Sequence, residues 1–117
     1  MEKLMQTATI LPLPLPRARA FEVERVNHAM LDLATAMKTI AIARGQNAIT
    51  APELGILLRI VVVVDGSWTM KLFNPVIAQE TDDKVEVYGL GPGNGATRLV
   101  TSGRRAKLIA QAIARLG

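Results

Sequence analysis

The chain has 117 residues, half of them apolar, with no cysteine and four aromatic residues, Phe21, Trp68, Phe73 and Tyr88. That composition admits one domain with an aliphatic core and excludes disulfides, thiolate metal sites and thiol nucleophiles. The net charge of +4 is uneven: residues 1–86 hold nine Lys/Arg against ten Asp/Glu, whereas residues 87–117 hold Arg98, Arg104, Arg105, Lys107 and Arg115 and no acid.

The first segment, "MEKLMQTATILPLPLPRARA", has one lysine, an apolar patch and an "ARA" that mimics a cleavage site. Three prolines break the patch and Arg17 follows it, so no signal peptide is expected. No apolar run reaches about 18 residues, so no transmembrane helix is expected either. The alternating prolines of "ILPLPLPR" hold residues 10–17 extended. This stretch reads as an arm (residues 1–16) anchored on the body by Leu11, Leu13 and Leu15. The other reading is a peptide-like ligand segment.

A helix is expected from residue 27 or 28 to residue 44. Asn27 can cap its start and Gly45 can close its end. Met30, Leu33, Met37, Ile40 and Ala41 recur at spacings of three and four and form one apolar stripe. His28 and Asp32 lie one turn apart, as two metal ligands would. No third ligand follows, so a surface histidine is the reading preferred.

"LLRIVVVV", residues 57–64, is apolar on both faces and should be a central strand. Asp65-Gly66 marks a hairpin turn. "WTMKLFNP" should return as a strand stopped by Asn74-Pro75, followed by strand, turn and strand in "VIAQE", "TDDK" and "VEVY". Val85 and Val87 alternate with Glu86 and Tyr88, which gives the last strand one wet face. "GLGPGNG" could cradle a phosphate, but no helix start or Lys-Ser/Thr follows it. "ATRLV" reads as a short strand. Ser102 is placed to cap a final helix, residues 103–116, whose apolar face is Ala106, Ile109, Ala112, Ile113 and Leu116.

Arm, helix, Ala-Pro loop and buried strand, in that order, resemble the peptide deformylase family. Its "GxGLAAPQxG" motif aligns with "QNAITAPELG" at residues 46–55: Ala51, Pro52 and Gly55 match, Ile49 and Thr50 are conservative, and Ala48 replaces a glycine. Asn74-Pro75 also sits where the family has "NP", and the proline-rich arm looks like the family's N-terminal segment. The resemblance implies an α+β fold: an N-terminal extended arm, one amphipathic helix, a small and mostly antiparallel sheet, and a C-terminal helix, in a single domain spanning 1–117.

The family's other two motifs are degenerate. "EGCLS" would fall on Val87, Tyr88, Gly89, Leu90 and Gly91, so that only the leucine survives and Gly89 replaces the metal-binding cysteine. "HExxH" would fall on Gln111, Ala112, Ile113, Ala114 and Arg115, without either histidine or the catalytic glutamate. The resemblance implies that deformylase chemistry needs a metal held by one cysteine and two histidines, a glutamate that handles the proton, and a glutamine that supports the oxyanion. Glu53 replaces that glutamine, and a carboxylate cannot donate a hydrogen bond to developing negative charge. The degenerate pocket is therefore expected at Glu53, Gly89, Leu90, Gln111, Ala112 and Arg115, with no catalytic residue, metal or cofactor. Arg115 is expected to turn inward and meet Glu53; the alternative leaves Glu53 exposed at a turn.

Three functions compete. The first is a non-catalytic deformylase-like protein that binds a peptide or protein partner in the cytoplasm, with a phage accessory role by analogy. The second is an active peptide deformylase acting on N-formyl-methionyl peptides. The third is a nucleic-acid-associated protein using Arg104, Arg105 and Lys107, set against the plainer reading of those cations as a solvated helix face.

Overall fold

The computed structural model describes residues 20–117; the expected arm lies outside them. Helix α1 spans His28–Arg44. It starts where predicted, because Asn27 accepts a hydrogen bond from the Met30 N–H at 3.0 Å. It ends where Gly45 takes a left-handed φ of +67° that costs glycine little. Ala34, Met37 and Ala41 are its buried residues, with Met30, Leu33 and Ile40 packed beside them.

Five strands follow in one antiparallel sheet whose spatial order is the chain order: β1 (Ala48–Thr50), β2 (Ile60–Asp65), β3 (Trp68–Glu80), β4 (Lys84–Leu90) and β5 (Ala96–Ser102). A single 3-10 turn, Ala51–Leu54, links β1 to the approach of β2. Helix α2, Gly103–Ala114, closes the described fold. The α+β architecture is the one expected.

Strand β2 is an interior strand, paired on both edges and second of the five, which suits its double-sided apolarity. Ile60, Val62 and Val64 face a core shared with α1, Ile49 and Phe73. Val61 and Val63 face a second core shared with Leu72, Val85, Val87 and α2. In that second core Ala106, Ile109, Ala112 and Leu116 are buried, the face read from the helix periodicity. Each fully buried aliphatic side chain contributes roughly 1.5–3 kcal/mol, so β2 alone anchors both halves of the molecule.

Three local expectations need correction. The strand at 57–64 begins only at Ile60. Leu57 and Arg59 are instead bonded to Phe21, through Phe21 N–H to Leu57 C=O and Arg59 N–H to Phe21 C=O, each at 2.9 Å. Ser102 occupies the N-cap position of α2, but its hydroxyl accepts no capping bond. Most consequential, Asn74-Pro75 does not end a strand. β3 runs through this dipeptide, 13 residues in all, and bends there, with the ladder register shifting between Phe73 and Val76. Asn74 sits at φ +52°, a region asparagine tolerates better than most residues, and Pro75 has no N–H to give the ladder. Residues 68–73 of β3 pair with β2, while β4 pairs only from Phe73 onward.

Two asparagines hold the segment before α1 against this frame. The Asn74 side chain accepts from the Val23 N–H at 2.7 Å and donates to the Val23 carbonyl at 2.8 Å. Asn94, at φ +62° in the β4–β5 turn, accepts from the Val26 N–H at 3.0 Å. "GLGPGNG" is thus a hairpin connection that also carries a clamp.

Asn74→Gly keeps the left-handed backbone and removes both side-chain bonds. It should lower unfolding stability by about 1–3 kcal/mol. Asn74→Ala should cost about 1–2 kcal/mol more, through its Cβ at positive φ. Urea unfolding of the three proteins measures both differences.

Candidate functional site

The Ala-Pro loop explains its own composition. Thr50 is extended and its side chain is buried; Pro52 lies in the first turn, where a missing N–H costs nothing. Glu53 folds back so that one carboxylate oxygen accepts from the Thr50 N–H at 2.9 Å and from the Thr50 hydroxyl at 2.8 Å. Gly55, at φ +80°, then lets the chain leave the turn. The proline, the acid and the glycine therefore have a structural reason: they cap a turn over a buried threonine.

The expected Glu53–Arg115 contact forms. Arg115 Nη2 donates to the same Glu53 oxygen at 2.9 Å and approaches the Ala48 carbonyl at 3.4 Å. Both side chains are partly open to solvent, Arg115 at 46% and Glu53 at 29%. The pair covers the outer edge of β1. The Val64 N–H bonds to the Asn47 carbonyl, and the register pairs Ala48 with Val63 and Thr50 with Val61. The alternation of an antiparallel ladder then turns the backbone groups of Ala48 and Thr50 away from β2. These outward groups, the Ala48 C=O and the Thr50 N–H, are the ones Arg115 and Glu53 take.

Burial pushes the Glu53 carboxyl up. The Thr50 hydroxyl and N–H and the Arg115 guanidinium outweigh it, and hold the group below its ordinary value of 4.5.

The other expected pocket positions are spread out. Ala112 is on the buried face of α2, and Gln111 is exposed one turn before Arg115. Leu90 packs against the α1 core, whereas Ala112 lies in the α2 core, so these two occupy different layers. Gly89 pairs with Thr97 inside β4–β5. A Cβ there would come within 2.9 Å of the Phe73 carbonyl, so close approach of the β3 backbone accounts for that glycine.

Deformylase chemistry as the family implies it needs thiolate and imidazole ligands. The chain has no cysteine and one histidine, His28, which opens α1 on an exposed surface. Among the described residues no three of His, Cys, Asp and Glu gather closely enough to hold a metal ion. The carboxamide of Gln111 and the guanidinium of Arg115 do not supply the missing ligands. The family's metal does not fit these residues.

The basic C-terminal block is folded onto acids. Arg104 and Arg105 reach the two oxygens of Asp65 at 3.3 and 3.1 Å. Arg105 also lies 4.6 Å from the centroid of the Trp68 ring. Arg98 pairs with Glu86. Lys107 lines a shallow surface cleft beside Asp82 and Asp83. Among the described residues no helix is long and apolar enough to cross a membrane.

Removing Glu53 orphans the Thr50 N–H and hydroxyl, so Glu53→Ala should cost about 1–2 kcal/mol. Arg115→Ala removes a partly solvated partner and should cost less than about 1 kcal/mol. Because the folded carboxyl titrates below its unfolded value, its contribution is complete above about pH 4.5 and fades as pH falls through the folded value. The melting temperature of the natural chain should therefore drop more steeply in acid than that of Glu53→Gln.

No protein-family model and no curated protein matches the sequence. Solved structures do match its fold. The PDF from the Vibrio parahaemolyticus bacteriophage VP16T, in complex with actinonin, is 22% identical with a TM-score of 0.74, over 85% of this chain and 88% of that one. A peptide deformylase from Synechococcus elongatus, also with actinonin, is 20% identical with a TM-score of 0.78, over 86% of this chain and 67% of that one. A probable peptide deformylase from synechococcus phage S-SSM7 is 19% identical with a TM-score of 0.76, over 86% of each chain. With its two helices and antiparallel sheet among the described residues, this chain has the peptide deformylase fold.

Proposed function

We propose that this chain is a non-catalytic protein on a deformylase fold, acting in the cytoplasm by binding a peptide or protein partner. The observation that carries the reading is the Glu53–Arg115 ion pair. A carboxylate now stands in place of the family's oxyanion-stabilising glutamine, and a permanent cation in place of one of its metal-binding histidines. The carboxylate opposes developing negative charge, where a single well-aimed donor stabilises it by roughly 3–4 kcal/mol. The cation would repel a divalent ion. A lone histidine and no cysteine support the same reading. Two of the similar structures come from phages, which favours a small accessory role of that origin.

The likeness to deformylases favours a second reading, an active hydrolase of N-formyl-methionyl peptides. One experiment separates the two. The purified full chain is incubated with Fe²⁺, Ni²⁺ or Zn²⁺, desalted, analysed for bound metal, and assayed for formate release from formyl-Met-Ala. No stoichiometric metal and no formate above the buffer control is expected. One metal per chain with metal-dependent formate release would establish the enzyme and end the non-catalytic reading. A nucleic-acid role has less to draw on, since Arg104 and Arg105 already share Asp65.

A further inference from the structure

The bend in β3 leaves a gap in the sheet. In residues 68–73 the ladder with β2 runs from the Asp65–Trp68 pair to Phe73 opposite Ile60, and the Asn74 N–H bonds to the Arg59 carbonyl. That alternation commits the backbone of Met70 and Leu72 to β2 and turns the backbone of Thr69 and Lys71 the other way. β4 does not reach them, because its last partner on β3 is Phe73. Among the described residues, the N–H and C=O groups of Thr69 and Lys71 thus have no backbone partner and form a short strand edge inside the sheet.

A cleft of about 280 Å³ opens at the Lys71 end of this edge. Met70 and Leu72 line one wall, Leu90 and Leu99 the other, and Leu31 and Val87 add further aliphatic surface. Two cations, Lys71 and Arg98, line it as well, and no carboxylate does among the described residues. Arg98 is engaged by Glu86. The Lys71 ammonium donates to the Thr35 hydroxyl at 3.0 Å, a neutral partner, and among the described residues no carboxylate pairs with it. The equivalent edge of β1 is not available in this way, because Glu53 and Arg115 already occupy it.

We infer that this cleft is a docking site for an extended peptide that adds as a strand along Thr69 and Lys71, buries an aliphatic side chain between Leu72 and Leu99, and presents a carboxylate to Lys71. The inference rests on the binding reading and names its site. Backbone bonds supply the affinity in strand addition, and the pocket supplies the preference for one side chain. The positive wall selects an acidic segment over a basic one.

The test uses the full chain, isotope-labelled, and the peptide acetyl-Thr-Val-Leu-Val-Glu with a free carboxyl end. The control is acetyl-Thr-Val-Leu-Val-Lys-amide. Saturable amide shifts are expected at Thr69, Lys71, Leu90 and Leu99, with the control peptide at least about 10-fold weaker. Thr69→Pro removes an outward N–H without touching the β2 ladder, a position where edge proline is tolerated, and should weaken binding by roughly 3- to 10-fold. Lys71→Glu should erase the preference between the two peptides while leaving the fold intact, which covers the case of a poorly folded proline variant.

Shifts confined to Ala48 and Thr50, or to the outer edge of β5, would overturn the cleft and leave the binding reading standing. Absence of saturable shifts would overturn the cleft as well. The binding reading is examined separately by capture of partners from a lysate: a partner retained equally by the natural chain and by both variants would keep that reading and reject this site.

Discussion

The bend at Asn74-Pro75 organises the molecule. A left-handed asparagine followed by an imide interrupts one ladder and starts another within a single strand. The first half of β3 therefore belongs with β1 and β2, and the second half with β4 and β5. α2 can fill the hollow between the halves, touching Val61, Leu72 and Val87 in one core. The same asparagine side chain holds Val23 by both its N–H and its C=O, which fixes how the chain enters α1. A straight strand would offer neither the hollow nor the tether, and it would leave no free edge at Thr69 and Lys71.

Electrostatics follows the same logic of distant partners brought together. The cations of residues 87–117 face carboxylates contributed by the acid-balanced body. Asp65 at the β2–β3 turn takes two arginines, Glu86 in β4 takes Arg98, and Glu53 takes Arg115. Most of these groups are well exposed, so each pair adds little to stability on its own. Together they set three carboxylates against four of the five cations that the C-terminal segment carries.

Glu53 serves two structures at once. It completes the turn after β1 by satisfying Thr50, and it anchors the end of α2 through Arg115. A carboxylate suits this task because it accepts several hydrogen bonds; for the same reason it is unsuited to stabilising an oxyanion. The Ala-Pro turn is held together by its own side chains and by the last helix. That arrangement closes one sheet edge while the bend in β3 opens another.

Much of the local structure was legible along the chain. Asn27 and Gly45 announce the ends of α1, the alternation of Val85 and Val87 marks a one-sided strand, and the double-sided apolarity from Ile60 to Val64 marks an interior strand of the sheet. The Glu53–Arg115 contact was reached only by way of the family resemblance. Asn74-Pro75 misled because a proline that ends one ladder and a proline that bends a strand look alike without the partner strands. Gly89 misled because a short motif aligned on one leucine carries no information about which layer it enters. By itself the sequence determined the two ends of α1, the buried faces, and a supply of no thiol and one imidazole that no folding can enlarge, since each is a property of neighbouring residues or of composition. The pairing of acids with arginines 12 to 62 residues away, the split of the sheet and the open edge beside Lys71 were decided only in three dimensions, because they depend on the path that the bent strand imposes on the rest of the chain.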